Sequence, residues 1–358
     1  MRDRSVTSMA GAAAVAMSLA AMMTVVALAE QKPATANSTR AAADWRAPRT
    51  ADGRPDLQGI WANNSATPLE RPKHWAGRQF VTAQELAEVK KIADEIVAND
   101  GDAQFGDGLV LAALDRIKKP GSYDPGTGNY NQFWLVERDF EDLRTSLITD
   151  PPDGKIPSLT PEAQKRRAAR MEYSKLHPAD GPEDRPAGER CVNFGVPKIG
   201  AGYNSYYQIF QSPTHVAILS EMAHDARLIP VDGRPHVGDA IRQWNGDARG
   251  RWEGDTLVVE TRNFSTKSEF RESSEHLHLV ERFTRVGPTT LNYEVTITDP
   301  TTWSKPWTVM IPLKSRSEAI YEYACHEGNS GMHGILAGHR AQERAAQAAA
   351  GSGSGAPR

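Results

Sequence analysis

The sequence predicts a mainly β fold in which an antiparallel meander curls into a barrel or sandwich, with peripheral helices supplied by the N-terminal half. Three observations carry this expectation. Runs of β-branched and aromatic residues at 206–210, 256–261, 277–286, 291–298 and 307–313 have the composition and length of strands. Gly, Pro and Asp separate them closely enough that consecutive strands pair antiparallel. Within the runs, apolar and polar residues alternate, as in Leu291, Tyr293, Val295 and Ile297 against Asn292, Glu294, Thr296 and Thr298, so Glu294 is expected outside.

In chain order, Arg2 and Arg4 precede an apolar Ala/Met/Val stretch that closes on Ala27-Leu28-Ala29, the pattern of a secretory signal peptide over 1–29. The stretch lacks the flanks and length of a spanning helix, so the mature chain is expected to be exported, periplasmic or extracellular, with no membrane span. A polar, Ala-rich linker occupies 30–52, and one domain follows over 53–337. Gly59-Ile60-Trp61 opens a first strand. Thr82 and Glu85 form a capping box before Leu86, Val89, Ile92, Ala93 and Ile96, which share one face of a helix over 82–99. Strands are expected at 132–136 and 144–148, before a turn at Asp150-Pro151-Pro152-Asp153-Gly154. Thr160 caps a second helix over 161–177, with Pro161 at its first position. Its Lys165, Arg166, Arg167 and Arg170 read as a solvated face or an anion patch. The Ala/Gly/Ser-rich stretch 338–358 is expected to form a disordered tail.

The 358 residues carry 42 Lys+Arg against 45 Asp+Glu, a net charge of -3, which argues against nucleic acid as partner. The only two cysteines, Cys191 and Cys325, bracket the meander and are expected to pair in an oxidising compartment; two buried thiols are the alternative.

Gly59-x-Trp61 resembles the opening of lipocalins and other calycins, barrels in which an early Trp seals one end and ligands enter the other. That resemblance implies a calycin-like barrel. A longer set of motifs spans nearly the whole mature chain: Pro55-Asp56-Leu57-Gln58-Gly59-Ile60-Trp61, Trp252-Glu253-Gly254-Asp255-Thr256-Leu257 and Tyr321-Glu322-Tyr323-Ala324-Cys325-His326-Glu327-Gly328-Asn329. Together they resemble a family of exported bacterial proteins of unknown function, which implies no activity.

Candidate site residues come from strand ends. His224-Asp225-Ala226-Arg227 places an imidazole, a carboxylate and a guanidinium at one rim, where His224 can move a proton and Arg227 can hold an anionic or carbonyl oxygen. Adjacent strand residues face opposite ways, so a surface turn explains the same residues. Arg249 and Arg251 share one strand face while Gly250 and Trp252 share the other; guanidiniums beside indoles suit a carboxylate, a sugar or a planar ligand, or simply an exposed hairpin. In a strand expected at 321–325, Tyr323 and Cys325 share a face, and His326-Glu327 follows at its end. Leu277, Leu279, Glu281 and Phe283 alternate with His278, Val280, Arg282 and Thr284, which leaves a polar residue on each face and points one charge inward. His276-x-His278 offers two metal ligands, short of the three a zinc site needs, so no metal is expected there. No phosphate loop, dinucleotide fingerprint or nucleophile elbow is present: Gly126-Thr127-Gly128 lacks the setting of a phosphate cradle, and Tyr123, Tyr130, Phe133 and Trp134 suggest an aromatic loop beside a cavity.

The leading expectation is a cofactor-free barrel that binds a small, partly apolar molecule. Its cavity is lined by aromatics, with Arg227, Tyr293, Tyr323 and Trp252 as contacts, under a rim of His224, Arg249 and His326. The alternatives are a cofactor-independent hydrolase, lyase or isomerase using the same histidines, and an envelope interaction module.

Overall fold

A computed structural model describes residues 45–99, 102–121, 135–268 and 270–353. The proposed signal peptide, the start of the linker, the Gly126-Thr127-Gly128 turn and the aromatic residues Tyr123, Tyr130, Phe133 and Trp134 lie outside the described residues, as does most of the strand expected at 132–136.

The meander forms as its alternation requires. Nine antiparallel strands follow one another around a nearly closed barrel in the order β5 (Asp225–Pro230), β4 (His215–Ser220), β3 (Tyr206–Gln211), β1 (Gly59–Ala62), β10 (Trp307–Arg316), β9 (Thr290–Thr298), β8 (His278–Arg285), β7 (Thr256–Arg262) and β6 (Asp247–Glu253). The short β2 (Ile148–Asp150) pairs with β10 beside Val309, in line with β1, which pairs with β10 near Ser315. The register puts Glu281 opposite Val295 and Phe283 opposite Tyr293, so the inward residues of β8 and β9 meet in one layer. Leu257, Leu279, Ile297, Val309 and Ile311 are fully buried there, each side chain contributing about 1.5–3 kcal/mol. Glu294 stands on the other face, as its phase predicts.

No strand ladder joins β5 to β6 among the described residues. Gly250 lets the two edges approach side by side: a Cβ there would lie 2.7 Å from Val231 Cγ1 and 3.0 Å from Ile229 Cγ2. Trp61 is 1% exposed, donates from Nε1 to the Leu57 carbonyl and lies under the Arg285 guanidinium at 5.4 Å from the ring centroid. Arg285 ends β8, so this contact joins the end of β8 to β1.

Helices attach outside the barrel. In α1 (Ala83–Ala98) both halves of the Thr82–Glu85 capping box are made, and Leu86, Val89, Ala93 and Ile96 pack with Leu109, Val110 and Ala113 of α2 (Gly108–Leu114) in a separate hydrophobic cluster. Thr160 caps α3 (Pro161–Leu176), whose only buried residue is Ala163. Arg166 pairs with Glu162 and also reaches Thr301 and Thr302, and Arg170 pairs with Glu272, so these two residues of the basic cluster are engaged within the chain.

Three expectations are corrected. Only Ile148 of the strand expected at 144–148 enters a strand, because Arg144 is held by Asp142 and by the Met310 carbonyl instead of continuing a ladder. The strand expected at 321–325 is irregular chain: the Tyr321 amide donates to Glu221 Oε1, and Cys325 is drawn to Cys191 in a disulfide with a Cα–Cα distance of 5.6 Å. The stretch from Gly338 is not a free tail through residue 353, since α4 (Ser330–Gly353) runs across it. Its alanines favour helix, Asn329 Oδ1 accepts the Met332 amide at its start, and Arg340 donates to the Asp180 carbonyl. No helix among the described residues is long and apolar enough to cross a membrane.

Candidate functional site

Inside the barrel, β8 carries an acidic side chain where a leucine would serve packing better. Glu281 faces inward in the same phase as Leu279 and Phe283 and is fully buried. Its carboxylate accepts from Arg227 Nη1 at 2.9 Å and Nη2 at 2.6 Å, and from the Tyr293 hydroxyl at 2.9 Å. Arg227 comes from β5, across the unpaired seam, with its side chain 11% exposed, and also reaches Thr261 Oγ1. Burial alone would lower the Arg227 pKa, but the Glu281 charge outweighs it and raises the pKa, so the guanidinium stays charged. The Tyr293 hydroxyl is pushed well above its usual range by burial and then by Glu281, which keeps it a donor.

Lys198 and Asp225 line the same cavity as Arg227 and Glu281. Lys198, in the irregular segment leading to β3, donates from Nζ to Ser220 Oγ at 2.7 Å and to the Met222 carbonyl at 2.9 Å. Burial lowers its pKa to about 8, with Asp225 opposing the shift. Asp225 accepts from Asn245 Nδ2 at 2.7 Å, and Asn245 in turn accepts from Asn193. Tyr207 closes the group: its hydroxyl donates to the Lys198 carbonyl, and burial raises its pKa.

These side chains border a cavity of about 30 Å³, walled on its apolar sides by residues such as Ile209, Ile218, Phe283 and Leu313. That volume suits two or so water-sized groups and falls far below the several hundred Å³ of a whole drug-sized ligand. The Cys191–Cys325 disulfide ties the segment before Lys198 to the one after β10, and Phe194 meets Tyr323 edge-on with centroids 6.0 Å apart. Glu221, 2% exposed, reaches from the β4–β5 turn to the Tyr321 amide.

The residues expected from sequence divide cleanly. Arg227 and Tyr293 line the cavity. Asp225 also does, but it binds Asn245 and makes no hydrogen bond to His224. His224 is exposed, at positive φ in the β4–β5 turn, and His326 is exposed just past the disulfide. Arg249 faces out of β6, donating to Asp247 Oδ1 at 2.6 Å and to the Pro235 carbonyl. The expected rim of His224, Arg249 and His326 is therefore not assembled: none of the three lines the cavity, and no hydrogen bond links any two. Adjacent strand positions face opposite ways, so Asp225 and Arg227 turn in while Ala226 and Leu228 are exposed. Tyr323 and Trp252 do not line the cavity: Tyr323 is half-buried beside Phe194, and Trp252 is half-buried against the barrel core.

Sequence reasoning missed Lys198, Ser220 and Tyr207, and it expected an inward charge on β8 without assigning it to Glu281. It also missed His236, whose Nδ1 lies 2.8 Å from Asp247 Oδ2, the carboxylate that Arg249 holds from its other side. The His236 Nε2 is buried and meets no hydrogen-bond partner, so this Asp–His couple has no nucleophile to activate. At the His276-x-His278 pair, His278 Nε2 meets Glu260 Oε1 at 2.8 Å, and no three metal-ligand atoms converge there among the described residues. Comparison with known proteins returned no matching family model, curated protein or solved structure.

Proposed function

We propose that this protein acts outside the cytoplasm as a small-molecule-binding β-barrel, and that the polar group of its ligand seats between Lys198, Ser220 and Asp225. One observation carries the reading: the Arg227–Glu281 ion pair and the Lys198 and Asp225 side chains border one internal cavity. A barrel that needed only stability is served as well by hydrophobic residues of similar volume, because desolvating ions offsets their attraction. Arg227 is already engaged by Glu281, which makes it a fixed wall. Lys198 still has one of its three ammonium donors unassigned, and Asp225 is an acceptor lining the same cavity. The matching ligand group is a carbonyl or hydroxyl that accepts from Lys198 and donates to, or is water-bridged to, Asp225. The attached apolar body belongs against Phe283 and Ile209, and the surrounding chain must shift to admit it, because the cavity holds only the head group. The disulfide suits an oxidising compartment.

A second reading, a hydrolase, is favoured by one contact: the Lys198 amine, with its pKa lowered towards neutrality, lies 2.7 Å from Ser220 Oγ, the spacing of a general base and its nucleophile. One experiment separates the two. Thermal shift of the full chain is measured against small aliphatic and aromatic alcohols, ketones, esters and amides, with product analysis of each hit. Binding predicts a stabilising compound recovered unchanged, whose effect is abolished in Lys198→Met, retained in His224→Ala and at most weakened in Ser220→Ala. Turnover of an ester or amide that vanishes in Ser220→Ala replaces the binder with the hydrolase. Hits indifferent to Lys198→Met overturn both.

A further inference from the structure

We propose that the junction between the end of α3 and the middle of α4 is a zinc site formed by Asp180, His339 and Glu343, with His177 orienting Asp180. His339 and Glu343 stand four residues apart on α4 and so share one helix face. Asp180 comes from the turn after α3. His339 Nε2 lies 3.1 Å from Asp180 Oδ1 and 3.5 Å from Glu343 Oε1, and ligand atoms of the three residues all lie within 4.8 Å of one another. Tetrahedral zinc with nitrogen and carboxylate bonds of about 2.0–2.2 Å holds its donors roughly 3.3–3.6 Å apart. The donor atoms therefore stand near their ligating separation already.

The surroundings fit a metal better than a plain hydrogen-bonded tether. One imidazole nitrogen faces two carboxylates, and a single N–H cannot serve both well, whereas a cation on the lone pair of Nε2 serves all three groups together. The outer contacts resemble those that fix metal ligands in place. His177 Nδ1 meets the free oxygen of Asp180, Oδ2, at 2.7 Å, and its ring stacks on Tyr173 with centroids 4.5 Å apart. Arg340 Nη1 takes the second oxygen of Glu343, leaving Oε1 for the ion. The His339 side chain is 15% exposed, enclosed enough to hold an orientation yet open to arriving metal. A mixed imidazole and carboxylate set suits zinc, while magnesium and calcium prefer oxygen alone. The consequence is structural: the ion fastens α4, whose first turn is already linked through Asn329 to Cys191, onto the segment after α3.

The test is calorimetric titration of Zn²⁺ into the chelator-stripped full chain, with Co²⁺ absorption as a readout of coordination. The expected result is one equivalent bound, with affinity lost in His339→Ala and Glu343→Gln, reduced about 10–100-fold in His177→Ala, and unchanged in His276→Ala. Melting in metal-free buffer establishes that each variant folds; for a folded His339→Ala, parent-like Zn²⁺ affinity overturns the proposal. So does the absence of saturable one-to-one binding by the parent, which leaves a His–carboxylate tether. A metal-dependent rise in melting temperature present in the parent and absent from Glu343→Gln supports the fastening role.

Discussion

Leu279 and Glu281 are neighbours on one face of β8, both fully buried, yet they belong to opposite kinds of interior. Around Leu279 the barrel is filled by Leu257, Ile297 and Val309, whose contribution depends on area and shape and not on which neighbour supplies the contact. Around Glu281 it depends on Arg227 and Tyr293 being in place, because each buried charge is tolerable only while its partner remains. The lesson is that one barrel contains a region held by non-directional packing and a region held by specific partners, and only the second is suited to discriminate a ligand.

The largest test of that contrast is Glu281→Ala, which strands the Arg227 guanidinium in the interior. It is expected to lower stability by about 3–5 kcal/mol in urea unfolding, whereas the double change Arg227→Met with Glu281→Leu is neutral or up to about 4 kcal/mol more stable. A double variant as unstable as the single would show that the pair is indispensable to the fold. On the apolar side, Leu279→Ala is expected to cost about 2–5 kcal/mol by leaving a cavity, and Leu279→Met less than about 1.5 kcal/mol, because shape alone is at stake.

Removing the disulfide with Cys191→Ser and Cys325→Ser is expected to cost about 2–4 kcal/mol, since it closes a loop with a sequence separation of 134. Amide exchange is expected to rise first around Lys198 and Tyr321 and last in β8 and β9; uniform acceleration would erase the distinction between these segments and the core.

The smallest effect is pH-dependent. Lys198 has a folded pKa near 8, below the unfolded value of 10.5, so from pH 8 upward the unfolded chain binds more protons than the folded one and stability rises with pH. The slope from this one group is at most about 1.4 kcal/mol per pH unit. Above pH 10 the sign reverses, as tyrosines ionise in the unfolded chain while burial keeps Tyr207 and Tyr293 protonated in the fold. Guanidinium unfolding at pH 7, 8 and 9 measures the rise, and Lys198→Met is expected to flatten it.

Much of the barrel was legible in advance because strand faces and helix starts are short-range properties. The alternation along 291–298 placed Glu294 outside, and the mismatched alternation along β8 announced an inward charge. Thr82 with Glu85, and Thr160 with Pro161, marked the two helix starts. The site was less legible. His224 and His326 drew attention as chemistry-bearing residues at strand ends, yet both are exposed, while Lys198 looked like any loop lysine. The partner of Glu281 lies 54 residues earlier in the chain, and that of His339 lies 159 residues earlier.

The sequence by itself determined most strands of the meander and the starts of α1 and α3, which face of β9 turns inward, and which two cysteines were available to join. Only the tertiary structure decided which charges leave water. Propensity and alternation act over a few residues, whereas desolvation and ion pairing depend on segments brought together by closure of the barrel, above all where Gly250 lets β6 lie against β5.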